Sequence, residues 1–94
     1  AINVSDDEIL AAMRLLGRTQ GVFGEPAGVT GTAGVKKAIE KGLISPDSTI
    51  VSVVTGNGLK DVANGIKAAG EPMLVKPSMD ALLDAFKENG VMPK

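Results

Sequence analysis

Ile50-Val51-Ser52-Val53-Val54, followed at once by Thr55-Gly56-Asn57-Gly58, carries two signals. The first five residues are β-branched apart from Ser52, with apolar side chains on both faces. Alternation would mark a half-exposed sheet; this pattern predicts a strand over about 49–55, covered from both sides as in parallel α/β sheets. The glycines then end it abruptly. In open α/β sheets ligands bind beyond the carboxyl ends of the strands, which makes Thr55-Gly56-Asn57-Gly58-Leu59-Lys60-Asp61 a candidate site. Thr55 offers a hydroxyl, Asn57 an amide, and Gly56 and Gly58 let a planar or anionic group approach. Asp61 stands where a dinucleotide fingerprint needs a third glycine, and no Gly-Lys-Ser/Thr follows to make a P-loop. A plain tight turn explains the glycines equally well.

Upstream of the strand the chain reads as two helices. Ser5-Asp6-Asp7-Glu8 is a capping box, and Ile9, Met13 and Leu16 follow at helical spacing, predicting a helix over about 6–19. Val22-Phe23 is a short extended piece. Pro26 suits the first position of a second helix, which carries Val29, Ala33, Ala38 and Ile39 and is closed by Gly42. Gly28, Gly31 and Gly34 recur along its first half, at a cost of roughly 1 kcal/mol each relative to alanine. A closely packed neighbour is the first explanation for them. Glu25, just before Pro26, is a second candidate site residue, although a carboxylate at a helix N-terminus can simply be a structural cap.

Downstream, Val62, Ile66 and Ala69 suggest a helix against the competing turn signal of Asn64-Gly65. Met73-Leu74-Val75 is a brief extended stretch between Pro72 and Pro77. Ser78 can cap a last helix with Met79, Leu82, Leu83 and Phe86 on one face, stopped by Gly90. Lys60 and Asp61 can pair with each other or lie in solvent. The remaining candidate strands, 22–23 and 73–75, are too short to flank 49–55. One central strand with three or four helices is therefore expected to be a single segment, 1–94, of a larger α/β domain.

Composition narrows the function classes. The chain has 94 residues, of which 44% are hydrophobic and 2% aromatic, with a formal net charge of −1. That balance gives no electrostatic footprint and no stacking platform for nucleic acid. Without cysteine or histidine there is no disulfide framework, thiolate zinc site or Ser-His-Asp triad. The apolar runs are too short to cross a membrane, and a cytoplasmic location is expected. A chain of this size buries only roughly 60–65% of its extended surface, so its core is thin unless something else completes it; expressed alone, the segment is expected to self-associate through its uncovered apolar surface.

Taken together, Gly21-Val22-Phe23-Gly24-Glu25-Pro26-Ala27-Gly28, the glycine-rich helix, Gly42 to Asp47 and Thr55 to Asp61 closely resemble the C-terminal part of the threonine synthase family. These enzymes belong to fold type II of those using pyridoxal 5′-phosphate (PLP). The likeness is strong from Ser5 to Asp61 and looser beyond, where Val62 replaces the family's common proline. The Glu-Pro-Ala-Gly element occurs across the wider family, dehydratases included; Thr-Gly-Asn-Gly-Leu-Lys-Asp is the more specific mark. The resemblance implies that the Thr55 hydroxyl hydrogen-bonds the pyridine nitrogen of PLP. It also implies that Glu25 lies beside the ring and that Gly56, Asn57 and Gly58 wall it.

The Schiff-base lysine and phosphate loop of such enzymes have no match in these residues, so no catalytic residue is assigned and the segment alone is expected to be inactive. The implied partners are the remainder of the parent enzyme, further copies of it in a homo-oligomer, and a small phosphorylated amino-acid substrate, O-phosphohomoserine. Alternatives are the matching segment of a threonine or serine dehydratase, a sulfonate-forming relative, or a non-catalytic α/β binding module.

Overall fold

The computed structural model describes residues 1–91. Its regular elements are α1 (Asp6–Gln20), α2 (Pro26–Glu40), a 3-10 turn (Gly58–Lys60), α3 (Val62–Ala69) and α4 (Met79–Glu88). The cap signals act as the sequence predicts. The Ser5 hydroxyl accepts from the Glu8 N–H, and the Glu8 carboxylate accepts from the Ser5 N–H at 2.7 Å, closing the capping box. Pro26 occupies the first turn of α2, where its missing N–H costs nothing, and Ser78 accepts from the Ala81 N–H to start α4. Helix α3 forms despite Asn64-Gly65. Asp61 accepts from both the backbone and side-chain amides of Asn64, converting the turn signal into a helix start.

Helix α1 packs on α2 and α3. Ala12, Met13, Val29, Ala33 and Ala68 make the buried core, with Val4, Ile9, Leu10, Leu16 and Val54 packed around it. Small residues dominate, so the helices approach closely and the core stays thin. A cross-link unforeseen in the sequence ties the layer at its surface: Lys37 of α2 donates to the capping-box carboxylate of Glu8 at 3.0 Å.

The expected strand is corrected. No strand forms among the described residues, and the pairing outside the helices is a single antiparallel bridge between Gly24 and Asn57. Residues 49–55 instead run along α2 in the opposite direction. Val54 lies against Gly24, the backbone of Thr55 and Gly56 against Gly28, and the Ser52 hydroxyl meets that of Thr32 at 3.0 Å. One side of the segment is thus covered by a helix, as the β-branched pattern demands. The other is bare: Val51 and Val53 are 86% and 72% exposed. A ladder needs a second strand, and residues 22–23 and 73–75 supply none.

The chain is accordingly spread out. Its radius of gyration is 16.5 Å, against about 12 Å for a compact domain of this length.

Candidate functional site

Two turns meet at the C-terminal end of residues 49–55. The Glu25 N–H donates to the Gly56 carbonyl and the Gly58 N–H to the Phe23 carbonyl, both at 2.9 Å. These two bonds fasten Phe23-Gly24-Glu25 to Gly56-Asn57-Gly58. The fit depends on absent side chains. A Cβ at Gly24 would fall 2.5 Å from Val54 and 2.6 Å from Val29. One at Gly28 would stand 3.1 Å from the backbone nitrogens of Thr55 and Gly56, which cannot swing aside as a side chain could. Close packing is therefore the cause of Gly28, as the first explanation from the sequence holds; Gly34 has no neighbour of this kind within 4 Å.

Of the five predicted site residues, the structure brings all into one neighbourhood. Thr55 is exposed, and its hydroxyl makes no hydrogen bond among the described residues. Asn57 turns its side-chain oxygen onto the Leu59 N–H at 2.9 Å and starts the 3-10 turn. Gly56 lies flush against the Glu25 carboxylate, and Gly58 is buried beneath the Phe23 ring. Neighbouring side chains thus give Gly56 and Gly58 a packing reason to lack a Cβ.

Glu25 departs from the structural reading. It occupies the N-cap of α2, yet its side chain makes no capping bond. The side chain is only 17% exposed, and its carboxylate instead faces the Lys60 ammonium at 3.4 Å. Lys60 therefore pairs with Glu25 and not with Asp61. Asp61 caps α3, and the Asn64 side-chain amide, then the Asn64 backbone N–H, hold its carboxyl below the usual range.

Two participants escaped the sequence. Phe23 fills the space above Gly58 and Gly65; as one of only two aromatics, flanked by glycines on the chain, it carried a signal that could have been read. Lys60 reaches across 35 residues of chain, and no local pattern announces such a contact. A cavity of about 350 Å³ opens between α1 and α3, lined by Met13, Gly17, Phe23 and Ala68 with Arg14 and Arg18. It shares Phe23 with the turn pair and does not reach Thr55.

Residues 1–56, which include Glu25, Thr55 and Gly56, match the family model described as pyridoxal-phosphate dependent enzyme. The chain belongs to this family. Within it, the chain is 44% identical over 85 residues to threonine synthase of Methanocaldococcus jannaschii, covering 90% of the chain and 21% of that protein. Threonine synthase of Halalkalibacterium halodurans is 44% identical over 92 residues, 97% of the chain and 25% of the relative. That of Mycobacterium bovis is 52% identical over 63 residues, 67% of the chain and 18% of the relative. The chain thus spans a quarter or less of these curated relatives.

Proposed function

We propose that this chain supplies the pyridine-ring side of the cofactor site in a cytoplasmic, homo-oligomeric threonine synthase that converts O-phosphohomoserine and water to threonine and phosphate. The observation that carries the reading is the unpartnered Thr55 hydroxyl, fixed at a turn whose backbone is clamped to the Glu25 turn. The donor set fits PLP: a neutral hydroxyl suits a pyridine nitrogen, and an adjacent half-buried carboxylate can stand beside the ring. The similarity to three threonine synthases favours this member of the family over a dehydratase.

In this reading Thr55 orients the ring through its nitrogen, and Glu25 with Gly56, Asn57 and Gly58 borders it. When bound, PLP supplies an electron sink, and a neutral hydroxyl partner keeps that sink weaker than a carboxylate would, which suits elimination and replacement at the β and γ carbons. The open side of residues 49–55 would take up neighbouring strands from the rest of the parent domain. No lysine here is assigned to cofactor attachment, so the 94-residue chain alone is expected to be inactive.

The test uses the full-length protein with PLP and O-phosphohomoserine, following phosphate release and threonine formation. Thr55→Val removes one hydroxyl with little change in volume. It should lower turnover by about tenfold or more while the thermal transition stays in place. Undiminished turnover in Thr55→Val, or no threonine from the unaltered enzyme, would overturn the proposal.

A further inference from the structure

The geometry points to Lys60 as a positioning residue, whose ammonium holds the Glu25 carboxylate across the Thr55-Gly56 turn. This inference rests on the cofactor reading above and adds to it a residue that acts through Glu25.

Glu25 sits where a side-chain oxygen normally accepts from the first free N–H groups of a helix. Its carboxylate declines that role and folds over Gly56 instead. A charged side chain with so little exposure gains from an opposite charge at its tip. Among the described residues, the side-chain partner it has is the Lys60 ammonium. The direction of Lys60 is built in. It ends the 3-10 turn, which is opened by the Asn57 cap and anchored by the bond from the Gly58 N–H to the Phe23 carbonyl. One short run therefore presents Thr55 at its start and, five residues later, the cation that fixes Glu25. Lys60 is itself 66% exposed, so water screens the pair and its contribution to folding stability is small. What it sets is the place of a carboxylate.

Four variants of the full-length, PLP-loaded enzyme test this: Lys60→Met, Lys60→Arg, Glu25→Gln and the double variant Lys60→Met with Glu25→Gln. Lys60→Met should lower kcat by about three- to tenfold with little change in KM, and shift the absorbance of the bound cofactor as Glu25→Gln does. Lys60→Arg should restore most of the rate. In the Glu25→Gln background the lysine change should cost nothing further, because neighbours acting as one unit are not additive.

Three results would overturn the assignment: unchanged kcat in Lys60→Met, losses that multiply in the double variant, or a fall in thermal stability that accounts for the lost rate. If Thr55→Val cripples the enzyme while Lys60→Met does not, the Lys60 assignment alone fails. If Thr55→Val is also silent, the cofactor reading itself fails.

Discussion

Helices α2 and α4 differ less in sequence than in circumstance. Both have a suitable N-terminal residue, Pro26 and the Ser78 cap, and both carry an apolar face. Helix α2 buries Gly28, Val29, Ala33 and Ala38, packing on α1 and, at Gly28, against the backbone of Thr55 and Gly56. Helix α4 has no fully buried residue: Leu82 and Phe86 are half-buried, and Met79 and Leu83 are 68% and 41% exposed. An apolar stripe states a demand for cover, and whether the same chain meets it depends on what else the chain contains. Residues 49–55 stand between the two cases, met on the α2 side and open on the other.

Core truncation is the most severe way to probe this contrast. Met13→Ala, at a side chain 1% exposed, should destabilise the chain by about 2–5 kcal/mol in urea unfolding. Phe86→Ala on α4 should cost less than about 1 kcal/mol. Met13 belongs to α1 and packs in the core it shares with Val29 and Ala33 of α2, so equal costs would mean that α4 is packed as tightly as the α1–α2 layer and would erase the distinction.

A gentler probe is acid. The carboxyl of Glu8 is held below its usual range, first by the backbone N–H of Ser5 and then by Lys37; that of Asp61 is held down by Asn64. A carboxyl with a lowered folded pKa adds stability that is present above its unfolded pKa and is lost as pH falls through the folded one. The packed layer should therefore loosen on acidification, beginning as pH enters the ordinary carboxylate range and continuing below it to the lowered folded values. Lys37→Met should diminish the Glu8 part, read from stability against pH. A pH-independent profile through that window would break the link between the capping box and α2.

The helices were legible because their instructions are local. Ser5 with Glu8, Pro26 and Ser78 each act within a few residues of themselves. Even α3, the most ambiguous, depends on Asp61 and Asn64, three positions apart. The meeting of the Glu25 and Thr55 turns was legible only through resemblance, since nothing near either one specifies the other. The strand pattern asks for cover on two sides and the structure supplies it on one; pairing is a property of two segments, and the described residues contain one. For Lys60 the sequence offers two local options, Asp61 and solvent, and its partner lies 35 residues away. Phe23 reads locally as an extended residue, and its place depends on Gly58 and Gly65 lacking side chains.

The tight seating of residues 54–56 on α2 also sorts the glycines for anyone redesigning this scaffold. Gly17 and Gly34 look onto empty space in the interior of their helices, so alanine there would add roughly 1 kcal/mol of helix preference at no steric expense. Gly24 and Gly28 offer no such latitude: an atom added at Gly28 would press on Thr55 and its hydroxyl, and one at Gly24 on Val54 and Val29. Thermostability can be engineered into the first pair, and the second pair is best left to the chemistry.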